Sequence, residues 1–291
     1  MILVVGATGR LGRLIAQTLL GQGKRVRILV RSGSSPDTLL AAGAQPVTGD
    51  LKDPQSLTAA CAGVDAVITT ANSMGRGGGD TVESVDRVGN ANLVDAAAAE
   101  GIGHFVFTSV LGANPQSPMP FIRAKGETEE RLRVSGITWT ALQPDAFMDT
   151  WIPPVVAGPA LAGQPVTIVG EGHRRHSFVA MRDVAAYAVA ALDHRHAEGR
   201  TLIIGGPQPL AWRDIVEAFE QQLGRPLALN TVPPGQPVPG LPDFITGLLA
   251  VLDTYDSPID ITELACTYGV TPTPVADFIR DFLAANRQPV D

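Results

Sequence analysis

A glycine-rich turn within the first twelve residues is the feature that most constrains the fold. Its glycines follow the spacing Gly6-x-x-Gly9-x-x-Gly12, after the apolar run 2–5 and before the helical apolar pattern of residues 11–19. The first glycine permits a tight turn, the second lets a diphosphate approach, and the third lets the helix pack on the strand. The helix N-terminus attracts the diphosphate. The sequence therefore predicts a strand, turn and helix that bind a dinucleotide.

Apolar runs alternate with helical patterns through the first half of the chain. Alternation of this kind is typical of a parallel, doubly wound α/β sheet with helices on both faces. The further predicted strands cover 25–30, 44–48, 64–70, 104–109 and 137–142, and the predicted helices lie near 54–61, 82–101 and 121–135. We expect residues 1–150 to form the dinucleotide-binding domain.

The alternation weakens after about residue 145, where proline-rich joints separate shorter elements. We predict that residues 151–291 form mainly a smaller, interleaved α+β lobe that binds substrate, with segments near 177–204 returning to the core sheet. The elements predicted there are short strands at 166–169, 177–180 and 201–204, and helices near 182–193, 211–223 and 274–286.

Composition narrows the class of partner. The net charge of −7, without a block of Lys or Arg, argues against nucleic acid or an anionic membrane and favours a small molecule. No apolar run approaches the ~20 residues of a bilayer span. The chain has two cysteines, Cys61 and Cys266, and neither belongs to a CxxC motif. This usage predicts core thiols in a cytoplasmic protein. We expect no metal site, and a homodimer stays open.

The residue after the second predicted strand bears on cofactor choice. An acid there would bind the ribose 2′-hydroxyl of NAD(H), whereas a base accommodates the 2′-phosphate of NADP(H). The residue is Arg31, with Ser32 beside it and Arg10 inside the glycine turn, and no acid occurs between Gly12 and Pro36. The pattern predicts NADP(H) over NAD(H), with an ordinary surface arginine as the alternative.

Two further segments follow predicted strands. In Gly49-Asp50-Leu51 the carboxylate could accept from the adenine amine while Leu51 covers the ring, or the segment could form a turn with a helix cap, and the two are compatible. The run Gly75-Arg-Gly-Gly-Gly79 follows the fourth predicted strand, where ligands bind in such sheets. A mobile lid and a solvated connector are equally supported.

Six segments spread over nearly the whole chain form a recognisable set: Gly6–Gly12, Gly49–Leu51, Phe107–Ser109, the helix of Lys125, Leu142–Pro144 and Phe178–Val184. Together they resemble the NmrA-like group of atypical short-chain dehydrogenases/reductases. The resemblance implies a Rossmann core with a C-terminal substrate lobe, and NADP(H) across the strand ends with its nicotinamide near Ser109, Lys125 and Pro144. The predicted cofactor-binding residues are Gly6, Thr8, Gly9, Arg10, Leu11, Gly12, Arg31, Ser32, Asp50, Leu51, Thr70, Ala71, Asn72, Ser109, Lys125 and Pro144.

One residue departs from the wider superfamily, whose members place a tyrosine four positions before the active-site lysine to exchange a proton with substrate. That position holds Phe121, and none of the three tyrosines precedes a lysine at this spacing. Tyrosine-mediated alcohol oxidation is therefore excluded. We predict that Lys125 still binds the nicotinamide ribose and that Ser109 bonds substrate or cofactor amide. The alternatives are a solvated lysine and a serine that caps a turn.

The remaining candidates surround the expected nicotinamide position. His176 precedes a predicted strand and could replace the lost proton donor, or it could belong to an exposed basic loop together with His173. Phe121, Phe147 and Met148 are predicted to form an apolar wall of the substrate pocket, with ordinary core packing as the alternative.

Three functions fit these residues. The favoured one is an NADPH-dependent oxidoreductase that transfers hydride to an electron-poor acceptor such as a quinone, a dye-like cation or an enone. The second is a non-catalytic NADP(H) sensor or regulatory scaffold that binds another protein. The third is a lysine-based reductase or isomerase like the isoflavone-reductase-like relatives, with Lys125 as general base.

Overall fold

The computed structural model describes residues 1–286. Its strands are β1 (Ile2–Val5), β2 (Val26–Val30), β3 (Gln45–Thr48), β4 (Ala66–Thr69), β5 (His104–Thr108), β6 (Thr138–Pro144), β7 (Val166–Val169), β8 (Arg200–Ile204) and β9 (Leu229–Val232). Its α-helices are α1 (Arg10–Gly21), α2 (Asp37–Ala41), α3 (Pro54–Cys61), α4 (Asn90–Ala99), α5 (Pro120–Val134), α6 (Met148–Ile152), α7 (Gly158–Leu161), α8 (Met181–Asp193), α9 (Trp212–Leu223), α10 (Asp243–Leu252), α11 (Thr262–Tyr268) and α12 (Val275–Ala285). Two π-helical segments, Val82–Gly89 and Pro153–Ala157, and a 3₁₀ turn, Arg195–Ala197, complete the assignment.

A seven-stranded sheet forms the centre of the fold, in the order β3-β2-β1-β4-β5-β6-β8. The pairings from β3 through β6 are all parallel, and Val5 of β1 lies opposite Leu29 of β2 and Thr69 of β4. The predicted Rossmann α/β fold class is therefore confirmed. Because the strand order reverses between β1 and β4, the carboxyl ends of these two strands open onto the crevice where such folds bind ligands.

The chain divides into two compact units, and the first comprises Met1–Pro144 with Met181–Ile203. Helix α1 forms because its apolar residues recur on one face, where Ile15, Ala16 and Leu19 are fully buried. Helix α5 begins at Pro120, whose missing N–H is tolerated in the first turn of a helix.

The second unit comprises Asp145–Ala180 and the described part of the chain from Ile204. It contains a two-stranded parallel sheet of β7 and β9 and an apolar core that includes Phe178, Trp212 and Phe219. The strand predicted at 177–180 is wrong. The residues around this segment form single bridges to three different places instead of a ladder with one partner: Val179 to Phe147, and His176 to Leu210 and Ser257.

The two cysteines differ in environment. Cys61 is buried, and burial raises the pKa of its thiol to about 11. Cys266 is exposed, so the prediction of a core thiol is wrong at this position. The reason is its place on α11, a short helix of which Tyr268 is the buried residue. Within residues 1–286 the helices are too short or too polar to cross a membrane.

Candidate functional site

In the glycine turn at the end of β1, the backbone segments lie closer together than a side chain at these positions would allow. Gly6 has a φ of +87°, which favours glycine, and the N–H of Gly9 donates to the carbonyl of Gly6 at 2.9 Å. A Cβ on Gly12 would meet the carbonyl oxygen of Gly6 and lie 2.6 Å from its carbon. The first turn of α1 therefore presents its N–H groups beside an unobstructed backbone, which fits the diphosphate of a dinucleotide.

The segment after β4 holds the other side of this turn. The N–H of Thr70 donates to Val5 at 3.0 Å, and the side-chain amide of Asn72 donates to the carbonyl of Thr70 at 3.3 Å. A Cβ on Gly6 would lie 2.6 Å from Oγ1 of Thr70 and 3.1 Å from the nitrogen of Ala71. The predicted residues 70–72 therefore lie against the glycine turn.

A cleft in the first unit opens at these strand ends. Six predicted cofactor residues line it, among them both residues of the proposed adenine contact. The carboxylate of Asp50 accepts from the backbone N–H of Lys52 at 2.8 Å, as the turn alternative predicts, and the adenine contact stays a prediction. The lining consists of Val5, Gly6, Thr8, Leu29, Arg31, Asp50, Leu51, Ala71, Arg76, Asp80 and Val85.

Three cations surround one carboxylate at this cleft. Asp80 accepts hydrogen bonds of 2.6 Å from both Arg31 and Lys52, and a guanidinium nitrogen of Arg76 lies 3.7 Å away. The hydrogen bond from Lys52, and after it the one from Arg31, lowers the pKa of Asp80 below its ordinary value, and the same bond raises the pKa of Lys52. The side chain of Asp80 exposes 7% of its surface.

Of these four residues, Arg31 is the one predicted from the sequence to bind cofactor. The signals for the others were present but weak: Lys52 follows the Asp50-Leu51 pair directly, and Arg76 and Asp80 belong to or follow the glycine run. The cluster, hereafter the basic cluster, consists of Arg31, Lys52 and Arg76, with Asp80 as its counterion.

Lys125 is buried in the first unit, with 2% of its surface exposed, and is not a solvated helix residue. Its ammonium donates to the carbonyl of Thr108 at 2.9 Å, at the end of β5. The ammonium also lies 4.8 Å from the ring centroid of Phe107 and 5.4 Å from that of Phe121. A phenyl ring therefore stands beside the lysine where the wider superfamily has a phenol.

Two carboxylates act on this lysine. Burial lowers the pKa of Lys125, and the charges of Asp86 and Glu129 oppose that shift. Asp86 is fully buried and accepts from the backbone and the hydroxyl of Ser73 through one oxygen. Its other oxygen has no hydrogen-bond partner within residues 1–286, and neither has Oγ1 of Thr108. Buried polar atoms of this kind suit contact with a polar ligand.

Ser109 belongs to a buried hydrogen-bond network centred on Glu129, which sequence reasoning missed. The Ser109 hydroxyl donates to Glu129 at 2.5 Å, the Gln143 amide donates to the same oxygen at 2.8 Å, and Arg133 donates to the other at 2.9 Å. The signal was the spacing of Lys125 and Glu129, which places both on one face of α5. The interaction of Ser109 with a cofactor stays a prediction.

The remaining candidates have these positions. Arg10 is the first residue of α1, Leu11 is buried on that helix, and Ser32 is exposed after β2. Pro144 ends β6 and its carbonyl accepts from Leu111 at 3.1 Å. Ser32 and Pro144 therefore lie at strand ends of the first unit, and Arg10 and Leu11 lie in the first turn of α1.

The second unit contains His176, Phe147 and Met148. His176 is 1% exposed, its Nδ1 lies 2.7 Å from the hydroxyl of Ser257, and its Nε2 donates to the carbonyl of Leu252 at 2.9 Å. Both ring nitrogens are therefore engaged in structural hydrogen bonds, and the residue is not part of an exposed loop. Met148 is buried and Phe147 is partly buried. Their roles toward a substrate stay predictions.

Comparisons with known proteins agree with this arrangement. A family model described as NAD(P)H-binding matches residues 6–195. An NAD(P)H azoreductase of Xenophilus azovorans is 34% identical over 232 residues, which are 78% of this chain and 75% of the relative. The photosystem II assembly factor Ycf39 of Cyanophora paradoxa is 33% identical over 232 residues, 80% of this chain and 71% of the relative. The structure of an Escherichia coli NADPH-dependent quinone oxidoreductase complexed with NADPH superposes with a TM-score of 0.81 at 23% identity, covering 97% of this chain and all of that one.

Proposed function

Because the chain belongs to the NAD(P)H-binding, NmrA-like family of atypical short-chain dehydrogenases/reductases, we propose that it is an NADPH-dependent reductase. Its acceptor is an electron-poor, planar molecule such as a quinone, a dye-like cation or an enone. The similarity to an azoreductase supports this class of acceptor.

The observation that carries the proposal is the phenyl ring of Phe121 beside the Lys125 ammonium, 5.4 Å from it. A reduction that needed a proton from the protein would use a phenol at this point. A phenyl ring offers an apolar surface and no proton. Acceptors that take hydride readily and then collect a proton from water do not need the phenol, so the substitution suits them.

The residues of the first unit divide the work of holding the cofactor. The glycine turn and the first turn of α1 would bind the diphosphate, and the basic cluster would bind a 2′-phosphate. Lys125, anchored on the carbonyl of Thr108, would donate to the nicotinamide ribose. A bound nicotinamide would supply the hydride.

Ser109 has a preferred role in this arrangement. Its proton is directed to Glu129, so the lone pairs of its oxygen remain for another donor. An acceptor oxygen at the end of β5 suits an N–H of the nicotinamide carboxamide. Glu129 is thus a positioning residue, since it acts through the orientation of Ser109.

The test is a cofactor titration followed by an acceptor screen with quinones, cationic dyes and enones. The wild-type protein should bind NADPH and reduce at least one of these acceptors. Phe121→Tyr, which restores the phenol, should leave that rate unchanged, whereas a reaction limited by a protein proton would gain roughly 100-fold. Cofactor binding without reduction of any acceptor would refute the reductase proposal.

Two other functions have a supporting observation. The similarity to a photosystem II assembly factor favours a non-catalytic protein whose cofactor biases a protein-binding surface. Equal affinity for NADP⁺ and NADPH without turnover would support it.

The other alternative is a reductase or isomerase that uses a lysine as general base. The pKa of Lys125, which burial lowers, favours this role.

Lys125→Met separates the lysine-base alternative from the reductase. A lysine base predicts that this variant loses turnover and still binds the cofactor, whereas the favoured proposal predicts weaker NADPH binding with residual reduction. Lys24→Met is the matched control, because Lys24 is partly exposed and pairs with Asp193 outside the cleft.

A further inference from the structure

The basic cluster is already neutralised in part by a residue of the chain itself. Arg31 is the residue that would meet a ribose 2′-phosphate, and its guanidinium donates to Asp80 at 2.6 Å. Lys52 donates to the other oxygen of the same carboxylate at 2.6 Å. The Asp80 carboxylate therefore holds the position between these cations that suits a bound anion.

We propose that Asp80 determines cofactor selectivity by competing with the ribose 2′-phosphate for Arg31, Lys52 and Arg76. This inference deepens the proposed function and rests on it. A 2′-phosphate can form ion pairs with all three cations once the Asp80 carboxylate no longer pairs with them. An unphosphorylated ribose has no such requirement, because its 2′-hydroxyl can donate to the carboxylate where it stands.

The charges decide the direction of the effect. Three cations face Asp80, and Asp50 lies 4.0 Å from the Lys52 ammonium. A 2′-phosphate adds up to two negative charges, and like charges in one small site repel. Asp80 therefore weakens the binding of NADP(H) relative to NAD(H), while the basic cluster strengthens it. The natural selectivity is the balance of these opposing contributions.

The chain just before Asp80 is loosely packed. Asp80 follows the run 75–79, and a Cβ added at Gly75, Gly77, Gly78 or Gly79 would meet no atom within 4 Å. The next residue, Thr81, is held by a capping box with Ser84 at the start of the π-helical segment. The glycine run is therefore not packed against other residues, while the carbonyl of Gly79 accepts from the hydroxyl of Ser84 at 2.9 Å and ties the chain before Asp80 to that segment.

The experiment compares Asp80→Asn with the wild-type protein by calorimetric titration, using NADPH, NADH, 2′,5′-ADP and ADP. We expect Asp80→Asn to bind NADPH and 2′,5′-ADP at least about tenfold tighter, equivalent to about 1.4 kcal/mol. Binding of NADH and ADP should be unchanged or weaker. The gain should shrink as salt is added, because the cluster is near the surface.

Asp95→Asn is the matched control, because Asp95 is an exposed carboxylate that pairs with Arg131 outside the cleft. It should leave all four affinities unchanged. Asp80→Ser gives a second variant without the carboxylate, and thermal unfolding verifies that each variant is folded.

The outcomes separate this inference from the proposed function. Suppose that the wild-type protein binds both cofactors, and that Asp80→Asn and Asp80→Ser have the same NADPH-to-NADH affinity ratio as wild type. The role of Asp80 is then refuted, and the proposed function is not affected. A ratio shifted toward NADH would also refute the role of Asp80. If the wild-type protein binds neither cofactor, the proposed function fails.

Discussion

Substitution of Gly12 by alanine tests the glycine turn as the cofactor cradle. The added Cβ would meet the carbonyl oxygen of Gly6 and lie 2.6 Å from its carbon, whereas ordinary contact begins at 3.4 Å. The start of α1 and the turn must therefore separate by about 0.8 Å or more. The helix cannot yield easily, because Ile15 and Leu19 of α1 are fully buried.

The structure sets the size of the effect. Overpacking of this kind costs about 1–3 kcal/mol of unfolding free energy. For a domain of this size each kcal/mol lowers Tm by about 2–4 °C. The same shift moves the N–H groups that would bind the diphosphate, and loss of one hydrogen bond to a charged group is worth about 1.5–3 kcal/mol. We therefore expect NADPH affinity to fall about 10- to 100-fold for Gly12→Ala.

The assays are thermal unfolding and calorimetric titration with NADPH, with Gly21→Ala as the control. Gly21 ends the same helix, and a Cβ there would meet no atom within 4 Å. Alanine at position 21 should raise the free energy of unfolding by up to about 1 kcal/mol and leave the NADPH affinity unchanged. The reasoning is refuted if Gly12→Ala unfolds and binds like wild type, or if both variants lose affinity equally.

The other predictions concern buried groups of the first unit. Glu129→Gln should lower the unfolding free energy by about 2–4 kcal/mol in urea denaturation, because an amide nitrogen would face one of the three donors that now converge on the carboxylate. Glu130→Gln, at an exposed position of α5, should change the free energy of unfolding little. An equal loss of unfolding free energy in the two variants would contradict the prediction. Burial lowers the pKa of His104, so the unfolded state binds more protons as pH falls below about 6.5. Stability should be full above that pH and fall as the pH drops toward the folded pKa, and His104→Gln should flatten that slope.

The Rossmann core could be predicted because its signals are local. The strand, turn and helix of residues 2–21 are contiguous, and the bond from Gly9 to Gly6 spans three residues. Strand β9 was missed for the opposite reason. Its residues Leu229–Val232 are partly or fully exposed, and the strand exists through pairing with β7, whose Val166 lies opposite Leu229. No apolar run marks such a strand.

The candidate site divides in the same way. The glycine turn, Arg31 after β2 and the phenylalanine before Lys125 could be identified from the sequence. Each depends on the residue type at a fixed distance from a recognisable element. The carboxylate that meets Arg31 is 49 residues away, and Glu129 is 20 residues from Ser109. Such partners depend on which strand ends and helices the fold brings together. Charge pairing and burial are properties of that three-dimensional neighbourhood, so they became visible in the folded chain.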